Sequence, residues 1–251
     1  SREPAARVVG LSKTYGTGEA VVKALDDVTV DLYAGEFTAV MGPSGSGKST
    51  LMHVCAALDQ PTAGEVLIGG TSIGSLSDKQ LTMLRREEIG FVFQSFNLVP
   101  TLSAEENITL PLAIAGRKPD AEWFDQVIST VGLGGLLKHK PNELSGGQQQ
   151  RVAVARALVS RPRIVFADEP TGNLDSRAGA EVLRLLRDSV DTHGQTVVMV
   201  THDPVAAAYT DRVVFLADGR VVDEVRDPDR DGVLEIMARM TEVADSSDVT
   251  P

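Results

Sequence analysis

Cysteine is almost missing from this 251-residue chain, where Cys55 stands alone. A lone thiol excludes an internal disulfide and any cysteine-based metal cluster, so a reducing compartment and a small core role for Cys55 are expected. Positive charge is also short: 24 Lys and Arg stand against 35 Asp and Glu, for a net charge of -11. That balance argues against nucleic acid as the main partner, because backbone phosphates need an excess of basic groups on one face. Long apolar runs are missing too. No stretch approaches the ~18 consecutive apolar residues of a membrane-spanning helix, and the opening "SREPAARVVG" has no apolar region of signal-peptide type. The chain is therefore expected in the cytoplasm, with any membrane span supplied by another polypeptide. Internal repeats and low-complexity tracts are lacking as well.

What remains is the composition of an ordinary soluble domain, with 42% hydrophobic and 24% charged residues. A chain of this length buries roughly 70–75% of its unfolded surface. "ARVVGLSKTY" and "ALDDVTVDLYAGEFTAVMG" alternate apolar and polar residues, are rich in β-branched side chains, and predict several strands. "STLMHVCAAL" then takes helical spacing, "GEVLIGGTSIGSL" predicts two short strands, and "EEIGFVFQ" another. From Ser95 to about Gly135 the pattern is mostly helical, with Pro100, Pro111 and Pro119 marking breaks. Within it, Asp120 is a helix cap, and Trp123, Phe124, Val127, Ile128 and Val131 form one apolar face. "RPRIVFADEP", "QTVVMVTHD" and "DRVVFLADGRVV" are the short apolar runs of buried parallel strands, with a helix between the first two. After Asp227 a helix over "GVLEIMARM" and an acidic, mobile end are expected.

"GPSGSGKST" (Gly42 to Thr50) fits G-x-x-x-x-G-K-[ST] between a strand and a helix. Gly45 and Gly47 let backbone amides approach a β-phosphate, Lys48 adds charge for the β and γ oxygens, and Ser49 offers a hydroxyl to Mg²⁺. Such an ion takes one or two protein oxygens. "RIVFADEP" supplies a carboxylate at the ligand edge of a sheet, where Asp168 would hold the metal through water and Glu169 would face the attacking water as general base. Successive strand residues diverge, which gives the two acids separate tasks. A second anion site lies in "NELSGGQQQRVAVARAL", a loop ending in two glycines that runs into a helix. Ser145, Gly146 and Gly147 offer an oxygen and unpartnered amides at the positive end of the helix dipole. His202 follows the apolar run "TVVMV" to the ligand edge, whereas His53, His139 and His193 have no such setting and are read as structural.

In this order the motifs resemble those of the nucleotide-binding subunit of ABC transporters over nearly the whole chain. "LSGGQ" (Leu144 to Gln148) matches that family's signature and "GNLD" (Gly172 to Asp175) its D-loop; Gln94 in "FVFQ" resembles the Q-loop glutamine, His202 the switch histidine, and Tyr15 the adenine-stacking aromatic. The resemblance implies an α/β fold: a P-loop NTPase (RecA-like) core with an N-terminal antiparallel β subdomain over 7–94 and 155–226, and an inserted α-helical subdomain over 95–154; the C-terminal extension over 227–251 is the part the branch pattern does not cover. It implies ATP and Mg²⁺ as cofactors. Nucleotide contacts would come from Tyr15, Ser44, Gly45, Ser46, Gly47, Lys48, Ser49 and Thr50, and further from Gln94, Ser145, Gly146, Gly147, Gln148 and Asp175. Ser49, Gln94 and Asp168 would serve the metal, and Lys48, Glu169 and His202 the hydrolysis.

Also implied is a head-to-tail homodimer, in which each signature faces the γ-phosphate held by the other copy. It would drive an integral membrane subunit on a separate chain, docked near "SFNLVPTLSAEENITLPL", from the inner face of the cell membrane. "GFVFQSFNLVPTLSAEENITLPL", "ADEPTGNLDS", "VTHDP" and the spacer "GTGEAVVKALDDV" look like the macrolide-export and lipoprotein-release branch. A cell-division ATPase shares several of these strings and stays open as an alternative. So does a soluble ABC protein without transport, although the long coiled coil usual there is missing.

Overall fold

The computed structural model describes residues 3–247. The alternating opening builds two long strands, β1 (Pro4–Tyr15) and β2 (Val22–Tyr33), paired antiparallel. β3 (Phe37–Met41) is buried throughout and leads through the glycine loop into α1 (Lys48–Cys55). β4 (Ala63–Ile68) and β5 (Thr71–Ser72) complete an antiparallel sheet of order β2-β1-β4-β5.

α2 (Asp78–Glu88) comes next, a helix that periodicity does not announce because only Leu81 of it is buried. Its signal is local: Ser77 and Gln80 form a capping box, the S-x-x-Q pattern of a helix start. β6 (Ile89–Phe93) follows, so Glu87 and Glu88 of the expected strand belong to the helix instead. α3 (Ala104–Ile114) and α4 (Ala121–Val131) form the inserted helical region, with Asp120 capping α4 through Trp123 N.

Pro111 does not mark a break; it lies inside α3. Proline there removes only the bond to the carbonyl four residues back, and the helix has one further turn to run. The Ser103–Glu106 capping box and buried Ile108 and Leu112 hold the helix despite that loss.

α5 (Gly146–Leu158) begins at the signature and runs unbroken across the boundary expected at 154/155. β7 (Ile164–Asp168), α6 (Ser176–His193), β8 (Val197–Val200), α7 (Pro204–Ala207), β9 (Arg212–Ala217) and β10 (Arg220–Arg226) complete the second sheet, of order β10-β9-β3-β8-β7-β6. Its strands run parallel except for β10.

Alternation along these strands splits the core in two. Phe37, Ala39, Val165, Ala167, Val197 and Met199 face the helical side. Val40, Ile164, Phe166, Val198 and Val200 face α1 and the antiparallel sheet. α8 (Arg230–Ser247) is longer than the expected Gly232–Met240 helix, and the end read as mobile is helical as far as Ser247. Val233 and Ile236 anchor it in the core beside α7, and neither glycine nor proline interrupts the sequence between them and Ser247. Residues 248–251 lie outside the described residues.

Candidate functional site

The glycine loop is held open by its surroundings. Gly47 caps α1 at a φ of 101°, a left-handed conformation, and a Cβ there would lie 2.5 Å from the Ala24 carbonyl oxygen. Only glycine satisfies both demands. Ser46 is buried, and its carbonyl accepts from Gly219 N at 2.9 Å, which ties the loop to the β9–β10 turn. Ser44, Gly45 and Ser49 are exposed, and Thr50 is half-buried. The half-buried Lys48 ammonium folds back to donate to the Gly42 carbonyl at 2.7 Å and the Pro43 carbonyl at 2.9 Å. Burial lowers its pKa, against the opposing pull of Glu169 and Asp168. The lysine therefore stands within the field of both acids, ready to exchange its carbonyl partners for an anion.

Strand order places the other groups beside it. The run β3-β8-β7-β6 sets the carboxyl ends of four parallel strands in a row, and from them emerge the glycine loop, His202, the Asp168–Glu169 pair and Gln94. This is the edge of an α/β sheet where ligands gather.

Asp168 ends β7, but Glu169 leaves the strand at a φ of 44°. The separation of the two carboxylates thus comes from a left-handed turn, not from the strand alternation expected for them. A non-glycine residue in that region is strained, and such strain collects at functional sites. Glu169 N donates to the Val200 carbonyl at 2.9 Å, and its Oε1 lies 2.7 Å from His202 Nδ1. Burial raises the pKa of Asp168, while His53 and Lys48 draw it back. His53, set aside in the sequence as structural, therefore belongs to the electrostatic surroundings of this carboxylate. Its neighbourhood is created by α1 packing on the sheet, which no local pattern announces.

Gln94 meets the D-loop. Its Nε2 donates to Asn173 Oδ1 at 3.1 Å, and Asn173 Nδ2 returns a bond to the Gln94 carbonyl at 3.0 Å. Gly172 is pressed so closely that a Cβ would stand 2.5 Å from Gln94 Nε2. Tyr15 is 42% exposed and fixed at its hydroxyl, which donates to Asp59 Oδ2 at 2.8 Å. Lys13 donates to the same carboxylate at 2.9 Å and lies 5.0 Å from the Tyr15 ring centre. Burial and the Asp59 carboxylate push the phenol above its ordinary pKa. Asp59 carries no sequence pattern that would have singled it out, whereas Asn173 lies within the "GNLD" string.

The signature is the glycine-led helix start expected from the sequence. Its glycines are the first residues of α5, and Ser145 is the cap: its Oγ accepts from Gln148 N at 3.2 Å, while Gln148 Oε1 accepts from Ser145 N at 2.9 Å. First-turn amides have no helical partners and carry the positive end of the dipole. Asp175 caps α6 in the same way, accepting from Arg177 N at 3.0 Å and Ala178 N at 2.9 Å. Among the described residues, no hydrogen bond or ion pair joins Ser145–Gln148 to the glycine loop of the same chain. One chain gathers Lys48, Asp168, Glu169, His202 and Gln94 at one sheet edge, and leaves the signature as a separate capped helix start.

The donor set fits a magnesium nucleotide. No group of three His, Cys, Asp or Glu among the described residues forms a metal cage. A hydroxyl at Ser49 and one half-buried carboxylate at Asp168 suit instead an ion that borrows few protein oxygens and completes its shell with phosphates and water.

Comparison with known proteins agrees with this geometry. The ABC transporter family model matches residues 25–172. MacB, a macrolide export ATP-binding/permease protein of Marinobacter nauticus, is 43% identical over 89% of this chain, which spans 35% of that relative's length. MJ0796, an uncharacterized ABC transporter ATP-binding protein of Methanocaldococcus jannaschii, is 46% identical over 86% of this chain and 94% of its own. The dimeric structure of the MJ0796 cassette superposes with a TM-score of 0.79 at 44% identity, covering 89% of this chain and 99% of that one. A second MJ0796 dimer, a post-hydrolysis state bound to ADP and Pi, gives a TM-score of 0.78 at 43% identity, with the same coverage. A strand-borne glycine loop, an acid pair at the sheet edge, a capped signature helix and these relatives lead to one conclusion: this chain belongs to the ABC transporter family, as an ATP-binding, ATP-hydrolysing cassette that uses Mg²⁺.

Proposed function

We propose that two copies of this chain dock head to tail and hydrolyse ATP at shared sites, driving a separate integral membrane subunit of the macrolide-export or lipoprotein-release type. The observation that carries this reading is the signature itself, a capped helix start with no hydrogen bond or ion pair, among the described residues, to the glycine loop of its own chain. A second copy supplies the missing half. Support comes from the dimers formed by MJ0796, 46% identical to this chain.

In this reading the loop amides and Lys48 grip the β and γ phosphates, and Tyr15 stacks on adenine. Ser44, Ser46 and Thr50 complete the phosphate cradle. Ser49, Asp168 and Gln94 hold Mg²⁺, which neutralises phosphate charge when bound. Glu169 takes the proton of the attacking water, and the 2.7 Å contact with His202 fixes its carboxylate. Ser145, Gly146 and Gly147 reach over from the other copy to the γ-phosphate, with Gln148 and Asp175 shaping that rim.

The membrane subunit docks in a groove of about 450 Å³ between α2, β6, α3 and α5, lined by Arg85, Phe91, Leu110, Pro111, Ile114 and Arg156. Ile114 is 65% exposed there. The groove includes part of the stretch singled out in the sequence and adds α2 to it. No helix among the described residues is long and apolar enough to cross a membrane, which accords with a cassette working on the inner face through a partner.

The test is complementation. Lys48→Ala destroys the loop half of each site and Ser145→Arg the signature half, so each variant alone is inactive. Mixed together, they retain one composite site with both halves intact, and partial ATPase activity returns. Failure of every mixing ratio to restore hydrolysis defeats the shared-site reading.

A further inference from the structure

Gln150 lies one turn into α5, fully buried, and no catalytic motif claims it. Its single Nε2 group donates to two backbone carbonyls, one at the end of β6 and one in the turn after β7: Phe93 O at 3.0 Å and Pro170 O at 2.5 Å. Phe93 immediately precedes Gln94, and Pro170 immediately follows Glu169. Those carbonyls lie where the pairing of β6 with β7 ends, at Phe93 and Asp168. With two acceptors in front of it, the amide has one tolerable orientation, and its Oε1 is left buried with no hydrogen-bond partner among the described residues. An unpaired buried acceptor is unfavourable, and a position that tolerates one calls for an explanation.

The same helix grips the Gln94 loop farther along. Arg156 donates to the Asn97 carbonyl at 2.7 Å and the Phe96 carbonyl at 2.8 Å, at residues whose φ values are 53° and 51°. α5 therefore holds the Gln94 loop near both ends, and through Gln150 it also holds the turn that carries Glu169.

We propose that Gln150 is a positioning residue for hydrolysis, setting Glu169 and Gln94 of its own chain from the helix whose start serves the partner copy's nucleotide. The inference rests on the shared-site reading above. Its consequence is directional. When the start of α5 engages phosphate across the dimer, movement of the helix is delivered through one side-chain amide to the Phe93 and Pro170 carbonyls, hence to the general base of the opposite composite site. Each site then reports its occupancy to the other.

The test uses Gln150→Met, which keeps length and volume but removes both donors. In the homodimer, ATP affinity is unchanged and kcat falls on the order of 10²-fold, the cost of a misplaced reacting group. An unchanged kcat overturns the proposal. If Gln150→Met does not fold, Gln150→Asn keeps the amide but withdraws it by one methylene, and the same kcat loss at unchanged affinity is expected; wild-type kcat there overturns the proposal equally.

Mixed dimers with Lys48→Ala then read the direction. With Gln150→Met and Lys48→Ala on the same chain, the one working site uses the wild-type chain's Glu169 and keeps the activity of the wild-type/Lys48→Ala dimer. With the two substitutions on opposite chains, the working site has the displaced base and loses activity. The reverse pattern shows that Gln150 merely supports the signature, and it overturns the proposal. The wild-type/Lys48→Ala reference separates the two failures: an inactive reference defeats the shared-site reading, while kcat of the Gln150→Met homodimer still judges the role of Gln150.

Discussion

The strand-end half of the site and the signature half are built by different means. The first is made from distant residues: the His202–Glu169 contact joins positions 33 apart in sequence, and Gln94 and Asn173 stand 79 apart. The second is made from neighbours, with Ser145 and Gln148 capping each other across 3 positions. One half needs a complete sheet; the other needs little more than a helix start. That contrast explains why a chain can carry both halves without joining them. A locally built helix start can sit anywhere in a fold, and here no hydrogen bond or ion pair among the described residues joins it to the glycine loop of its own chain.

The largest expected effect tests the strand-end half alone. Glu169→Gln keeps the shape of the turn and removes the base, so steady-state hydrolysis falls by the ~10²–10⁴-fold typical of a lost general base. Nucleotide binding survives, and an ATP-bound dimer accumulates, visible by size-exclusion chromatography. Near-wild-type turnover would remove Glu169 from its assigned task.

A smaller effect is expected at Tyr15, whose ring belongs to the strand-end half through the antiparallel sheet. Loss of base stacking costs about 1–3 kcal/mol, so Tyr15→Ala weakens ATP binding, measured by calorimetry, by about 5- to 150-fold. Equal affinity for ATP in the variant and the wild type would detach Tyr15 from the site.

The smallest effect is a null one. Cys55 is buried at the end of α1, and burial pushes its thiol up to about 12. The thiolate is the reactive form, so the folded protein resists alkylation at neutral pH with or without nucleotide. Rapid labelling without ATP would mean that the strand-end half is loose until nucleotide arrives, and the contrast between the halves would blur.

Much of the fold could be read along the chain, and the failures have physical reasons. α4 was legible because Asp120 and its apolar face act within a few residues. α2 was not, because a surface helix with one buried residue has no apolar stripe to detect. Pro111 misled because a proline late in a well-capped helix removes a single bond. The acid pair was recognised, but the left-handed turn at Glu169 that separates them was not, since only the packed strand ends force a non-glycine residue to a φ of 44°. His53, Asp59 and Gln150 were invisible for a common reason: each acts through partners brought near by folding.

By itself the sequence determined what is local: the left-handed glycine at the start of α1, the serine and aspartate caps, the alternation that gives each strand two faces. Backbone sterics and hydrogen bonds within a turn decide such features, and they need no knowledge of the rest of the chain. The tertiary structure alone decided that β8 and β7 lie beside β3, and so which histidine, acids and glutamine share an edge with Lys48. Strand order is a global choice, fixed by burying both faces of one sheet at once, and no window of residues contains it.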